Sequence, residues 1–374
     1  MKISAMNSET QAGSASKLGL VEKLRVGNKA VFEAVQGLGL FAVIVIVSIL
    51  LGLARPVFFS RINIENLFYS ATIIAVVAIG EAFVILVGGI DLSVGAVLAL
   101  SSVLCVGLPL FLGVPVWLST LVALGIGAGI GFINGLSVTV LKIPALIATL
   151  AMMSIARGAA FIYSGGRNIA PVPSIYVDIQ ATRLFGIPVV ILFTIGLGIL
   201  AHFVLSSTRF GRAIYATGGN ALAARLSGIR TDKIVLAAYV ISGVAAAIGG
   251  LMITARLEAG AATAGFGTEL TVISAVVIGG VSLLGGEGMI GGVLLGVLLL
   301  GLVQNAINLL NVPPNYDYVV SGLVIAAAAG LDVFRRSFAE AGLRRRSILR
   351  KDEAKSQQGS APSAATATPP KRIT

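Results

Sequence analysis

Six side chains able to do chemistry stand inside stretches that are otherwise apolar: Glu81, Asp91, Asn134, Gln304, Asn305 and Asn308. An ionisable group at membrane depth is expensive to hold, so it marks either a functional position or a compensating partner. Two buried carboxylates suit ion or proton coupling. For Glu81 a structural contact to a neighbouring helix competes with contact to a solute. Asn134 lies between small residues in "GFING", and Gln304, Asn305 and Asn308 follow one another at i, i+1 and i+4. The pairs 304/308 and 305/308 share a helix face. Carboxamides donate and accept, which suits the hydroxyls of a sugar and equally suits hydrogen bonding between helices. Asp91 has one more reading. In "VGGIDLSVG" (87–95) Gly88 and Gly89 close one apolar run and Asp91 opens the next. The glycines then end a helix, and Asp91 caps the following one by accepting backbone N–H groups of Ser93 or Val94, in a favourable dipole. The rhythm returns in "GGVSLLGG" (279–286), with Ser282 at the position of Asp91.

Other chemistries find no support. The single cysteine, Cys105, has no partner for an internal disulfide and reads as a small packing residue. The single histidine, His202, has no cysteine or second histidine with which to hold a metal. No nucleophile–base pair stands out, so no catalytic, cofactor or metal-binding residue is assigned. The chain contains no "GxxxxGK[ST]" phosphate loop, and "GGEGMIGG" (285–292) lacks the lysine and the hydroxyl residue. ATP chemistry therefore has no seat on this chain.

The elements that must position these residues are membrane spans. Of 374 residues, 56% are hydrophobic and 11% are charged, and Leu92–Leu141 carries no charge at all. The apolar runs are continuous rather than alternating, which excludes a β-barrel. The fold class is an all-α polytopic membrane protein of about ten transmembrane helices, some of them broken. The expected spans are 38–54, 67–87, 92–112, 116–140, 143–164, 187–206, 234–255, 269–285, 289–310 and 316–333. The 46 glycines exceed the average of about 7% and point to close helix packing.

The net charge of +11 falls in loops and tails, which argues for membrane topology and against nucleic acid. With both termini inside the cytoplasm, residues 1–37, Lys142, 207–233 and 334–374 hold 21 of the 27 Lys and Arg. Arg55, Arg61, Arg157, Arg167, Arg183 and Arg256 remain outside that set. This gives a cytoplasmic N-terminal segment (1–37), a transmembrane domain (38–333) and a basic, largely disordered cytoplasmic tail (334–374). No short apolar segment with a cleavage site precedes the first span, which reads as retained.

Within the loop 207–233, "NALAARLSG" (220–228) has the marks of a short capped helix. Asn220 is a good N-cap, Ala221, Leu222, Ala223, Ala224, Arg225, Leu226 and Ser227 are mostly strong helix formers, and Gly228 suits the C′ position. Two turns alone are marginal in water, so such a helix needs a groove on a partner.

This loop resembles the coupling loop of ABC importer permeases, closest to the ribose/monosaccharide branch of the branched-chain-permease-like family. The resemblance covers nearly all of residues 56–335. It is carried, in order, by "FSRINIENL" (59–67), "GGIDLSVGAVLAL" (88–100), "GFINGLSVTVLKIPALIATLAMMSIARGAAFIYSGGRNI" (131–169), "TRFGRAIYATGGNALAARLSGI" (208–229) and "VIGGVSLLGGEGMIGGVLLGVLLLGLVQNAINLLNV" (277–312). It implies a multi-pass subunit of the bacterial inner membrane that carries a monosaccharide or small polyol by alternating access. It also implies a separate cytoplasmic ATPase, a periplasmic sugar-binding protein and a second permease copy in the bilayer. By resemblance, residues 220–228 enter a groove of the ATPase. Arg225 and Arg230 either pair with acidic residues there or serve topology. Arg61, Arg167, Arg183 and Arg256 are candidates for docking the binding protein, with 171–188 as its longest surface. Two alternatives stand beside this reading: a branched-chain amino-acid type permease, whose members differ at "GGIDLSVG", and an ion-coupled secondary carrier using Glu81 and Asp91.

Overall fold

A computed structural model of the chain describes residues 37–313 and, beyond them, 316, 319, 322, 323 and 326. Residues 37–313 belong to one compact unit, Met1–Ile325. The N-terminal segment up to 36, most of the expected span 316–333 and the tail lie outside the described residues.

Eight of the described helices are long and apolar enough to cross a membrane. They are α1 (Gly37–Ala54), α2 (Arg61–Leu86), α3 (Val94–Leu112), α4 (Val116–Thr139), α5 (Ala145–Ser164), α7 (Val189–Ser207), α10 (Thr231–Leu257) and α12 (Ile290–Leu309). Between them lie α6 (Ser174–Ala181), a hairpin of β1 (Arg183–Leu184) and β2 (Ile187–Pro188), α8 (Arg209–Gly219), α9 (Ala221–Leu226) and α11 (Thr268–Ile278). The centre of the bundle is α2, 83% buried along its apolar window, while α1 at 6% lies on the periphery. There α1 touches the rest through Leu51, packed with Phe58, Leu67 and Leu302.

Two expected elements are corrected. The second span begins at Arg61 and not at 67, because Ser60 caps it by accepting the Asn63 N–H at 3.3 Å. The polar residues of its first turns are internally paired, Arg61 to Glu65 at 2.8 Å, so they extend the helix rather than end it. The expected span 269–285 is an 11-residue helix, α11, followed by irregular chain to Met289. A helix of that length rises about 16 Å, half of a bilayer core.

The other half of that crossing is non-helical chain, a run of turns over 262–267. Glu258 adopts the left-handed conformation and ends α10. Gly260 then packs beside Ser102 and Val103 of α3, and Gly265 beside Gly95 and Leu98. The chain thus descends along α3, reaching a level about 20 Å below the Leu112 end of that helix. Residues 171–188, the longest expected docking surface, form α6 and the β1–β2 hairpin, with Tyr176 buried, Phe185 92% exposed and the hydroxyls of Tyr176 and Thr120 at 2.7 Å.

The glycine excess is spent at helix contacts. Gly127, Gly131 and Gly135 recur every fourth residue on α4 and face α10, where any Cβ would meet the backbone of Gly243, Tyr239 or Leu236. Small residues at this period let two helix backbones approach as they do in membranes.

Candidate functional site

The break between α2 and α3 is built from its backbone upward. Gly88 donates to the Ile85 carbonyl and Gly89 to the Val84 carbonyl, both at 2.9 Å, with Gly88 at φ +82°. This is a Schellman termination with Gly88 at C′. The chain then runs irregularly to Ser93, which occupies the N-cap of α3. Asp91 is therefore not the cap residue itself; it sits two positions earlier and its Oδ1 accepts the Ser93 N–H at 2.9 Å and the Ser93 hydroxyl at 2.6 Å.

Around that carboxylate the bundle closes completely. Ser242 of α10 donates to Asp91 Oδ2 at 3.1 Å. Asn134 of α4 donates to the Ser93 hydroxyl oxygen at 2.9 Å and to Asp91 Oδ1 at 3.4 Å. Glu81 of α2 accepts the Asp91 N–H at 3.0 Å. The Ile90 carbonyl accepts from the hydroxyls of Thr149 and Tyr239. Glu81, Asp91, Ser93, Asn134 and Ser242 are all buried, with at most 1% of any of them exposed. Glu81 Oε2 and Asn134 Oδ1 have no hydrogen-bond partner among the described residues. Glu81 and Asn134, read from the sequence as candidates to line a pathway, are here enclosed by protein and hold the break together. Tyr239 and Ser242 were not singled out from the sequence; nothing in their local pattern marks them, because they act on residues some 150 positions away.

The second break repeats the termination without the carboxylate. Gly280, at φ +91°, donates to Val277, and Val281 donates to Val276. That is again a Schellman motif, now with Gly280 at C′. The superposed register puts Ser282 opposite Ile90, one residue away from Asp91, so the two motifs share a stop signal and not a polar centre. The irregular chain that follows lies against α8: Tyr215 donates to the Gly288 carbonyl at 2.8 Å, and Gly286 donates to the Leu86 carbonyl at 2.9 Å. A Cβ at Gly218 would land on that same Leu86 oxygen, and one at Gly285 would approach Gly88. The two breaks and the end of α8 thus meet in one glycine-lined junction.

From this junction the chain enters α9. Asn220 is its N-cap, accepting the Ala223 N–H at 2.9 Å, and Ser227 is its C-cap, followed by Gly228 at φ +85°. Ala224 faces the bundle, while Leu222 and Leu226, one turn apart, are 70% and 82% exposed. Arg225 folds back to Thr231 Oγ1 at 3.0 Å and Asp232 at 3.2 Å, on its own chain. Arg230 is exposed.

The remaining candidates separate. Asn305 exchanges two hydrogen bonds with Asn63, at 2.8 and 3.2 Å, tying α12 to α2. Gln304 and Asn308 are exposed, and Gln304 lines a cleft of about 300 Å³ with Ser70, Arg256 and Thr271. Arg61 and Arg183 both bind Glu65, Arg183 through two bonds of 2.9 and 2.8 Å. Arg256 donates to Ser70 Oγ at 2.5 Å, so three of the four arginines gather on the first turns of α2. Arg167 is exposed and stands apart from them, next to the Ile169–Gly260 bridge.

Arg157, counted from the sequence only as a residual cation, is a third residue the sequence reading missed. It lies inside α5 and donates to the carbonyls of Ala262, Ala264 and Gly265 at 2.8, 2.6 and 3.3 Å. Its guanidinium also covers the Phe266 ring at 4.2 Å. It thereby satisfies the run of turns that descends beside α3, whose carbonyls have no helix to bond within. The available signal was its place in the span 143–164, where a charge requires a partner.

Comparison with known proteins follows the same outline. Residues 63–329 match the family described as branched-chain amino acid transport system / permease component. The chain is 40% identical over 296 residues to the ribose import permease protein of Haemophilus influenzae, covering 78% of this chain and 91% of the relative. It is 43% identical over 297 residues to the Bacillus subtilis ribose import permease protein, covering 79% and 91%. It is 36% identical over 292 residues to the D-allose transport system permease protein of Escherichia coli, covering 78% and 90%. No solved structure matches.

Proposed function

The chain belongs to the branched-chain amino acid transport system / permease component family, and from that premise we propose that it is the membrane-spanning permease subunit of an ATP-binding-cassette importer for a monosaccharide or similar small polyol. The observation that carries the substrate class is the set of relatives. They cover about nine-tenths of their own length and are named for ribose, allose and arabinose. This favours the sugar reading over both the amino-acid type and an ion-coupled carrier.

The protein sits in the bacterial inner membrane as a multi-pass subunit. Both termini and α9 lie on the cytoplasmic side in this reading, with about ten spans in all and the domain limits 1–37, 38–333 and 334–374. A separate ATPase receives α9, whose exposed Leu222 and Leu226 offer an apolar pair for a groove. A periplasmic sugar-binding protein delivers the solute at the opposite end, where Arg61, Arg167, Arg183 and Arg256 stand. Two copies form the pathway. Closure of the ATPase pair pushes α9, and the push passes through the glycine junction to the ends of α2 and α11, both of which stop there.

The test is uptake of labelled pentoses and hexoses into proteoliposomes holding the permease, its ATPase and its binding protein. ATP-dependent accumulation of a sugar is the expected result. Accumulation that persists with an inactivated ATPase would overturn the reading.

A further inference from the structure

Non-helical backbone at membrane depth is tolerated only where protein covers it or where it borders water. The chain 261–267 meets that condition on one side alone. Its inner side is satisfied: Ala261 donates to the Ser102 hydroxyl, and Arg157 serves three carbonyls. On its other side Thr263 and Phe266 are exposed, Phe266 by 56%. Next to them on α5 stand Ser154, exposed, and Arg157, half-buried, three residues apart on one helix face. Glu269, at the start of α11, adds a half-buried carboxylate whose enclosed Oε2 lies toward Gly95 of α3 and has no hydrogen-bond partner among the described residues. Contrast the middle of α7, where Phe193, Ile195, Ile199, Leu200 and Phe203 are exposed and the polar exposed residues, His202, Ser206 and Ser207, are confined to its last two turns. That middle is a surface made for lipid; a hydroxyl, a guanidinium, a carboxylate and non-helical backbone on one face are not.

We propose that the face formed by Ser154, Arg157, Thr263, Phe266 and Glu269 is a wall of the aqueous route through the membrane, and that the Phe266 ring is the platform on which the apolar face of a sugar ring rests. Arg157 covers one side of that ring and Phe161 packs against it tilted at 6.4 Å, which together fix its position while Phe266 remains 56% exposed. The guanidinium cannot drift, because the carbonyls of Ala262, Ala264 and Gly265 hold it. Hydroxyl-bearing solutes stack their C–H faces on such rings and hydrogen-bond at their edges, where Ser154, Thr263 and Glu269 supply partners. The sugar as occupant rests on the function proposed above; the water-lined wall does not.

The experiment uses the full chain in membranes with its ATPase. Single cysteines replace Ser154, Phe266 or the α7 residue Ile199 in a Cys105→Ala background, and a membrane-impermeant charged thiol reagent probes them. Labelling of Ser154→Cys and Phe266→Cys, slowed several-fold by high sugar, with none at Ile199→Cys, is expected. Absence of labelling at both wall positions overturns the proposal, as lipid or a second copy then covers the face. Phe266→Ala should slow sugar uptake about tenfold and Phe266→Trp should restore most of it, at unchanged ATPase assembly. Unchanged uptake in Phe266→Ala overturns the platform. Wild-type uptake that needs no ATP would sink the importer reading and leave the labelling result standing.

Discussion

Two chain breaks interrupt the bundle, after α2 and after α11, and they stop their helices with the same backbone device while being held in different ways. The first is surrounded by side chains: Asp91 receives Ser93, Asn134 and Ser242, and Glu81 receives the Asp91 N–H. The second is held chiefly by backbone against backbone, Gly286 on Leu86 and Gly279 on Gly292, with one side-chain bond from Tyr215 to the Gly288 carbonyl. A side-chain centre tolerates a small change in backbone shape and fails when an acceptor is lost. A glycine junction has few side chains to lose and fails when a methyl group is added. The two breaks should therefore respond to opposite kinds of substitution.

The largest effect is expected at the junction. In Gly218→Ala the new Cβ has no space between the Leu86 carbonyl and the Gly286 N–H. Backbone on both sides cannot rotate away, so the cost is about 3 kcal/mol or more. A fall of many degrees in the melting temperature of the detergent-solubilised protein checks it. A melt unchanged within a degree or two would show that the glycine contact is dispensable.

Asp91→Ala comes next. It leaves the Ser93 N–H and the Ser242 and Asn134 donors buried without their acceptor, at about 1–3 kcal/mol for each group that finds no new partner. Asp91→Asn keeps an acceptor oxygen and should lose less. The same melt ranks the two, and equal loss in both would mean that charge rather than hydrogen bonding holds this break.

Gly88→Ala sharpens the contrast further. The nearest atom to its added Cβ is the Leu284 carbonyl oxygen at 3.6 Å, an ordinary contact, so only the left-handed φ is penalised. The cost is about 1–2 kcal/mol. If Gly88→Ala proved as damaging as Gly218→Ala, the first break would also be a backbone junction.

What the sequence made legible follows from range. The caps of α9 were readable because Asn220 and Gly228 act within eight residues of each other. Gly88 was readable because a helix stop is local. The polar centre was not, since Asp91 meets Asn134 and Ser242 from 43 and 151 positions away. The span 269–285 was misread because hydropathy registers that residues are apolar and not that Gly280, Gly285 and Gly286 take positive φ. Arg157 was assigned to topology because counting charges by side ignores which of them bond inward.

Gly219→Ala is the smallest change and the cleanest control. Gly219 is the last residue of α8, its φ is not left-handed, and a Cβ there meets nothing within 4 Å. It sits beside Gly218, so composition and helix register are nearly the same while the direction of the added methyl group differs. Alanine is the better helix former by up to about 1 kcal/mol, less at a helix end, so the melt should stay level or rise slightly. A large loss in Gly219→Ala would mean that the junction needs chain flexibility just before α9, and not the close approach of backbones that separates the second break from the first.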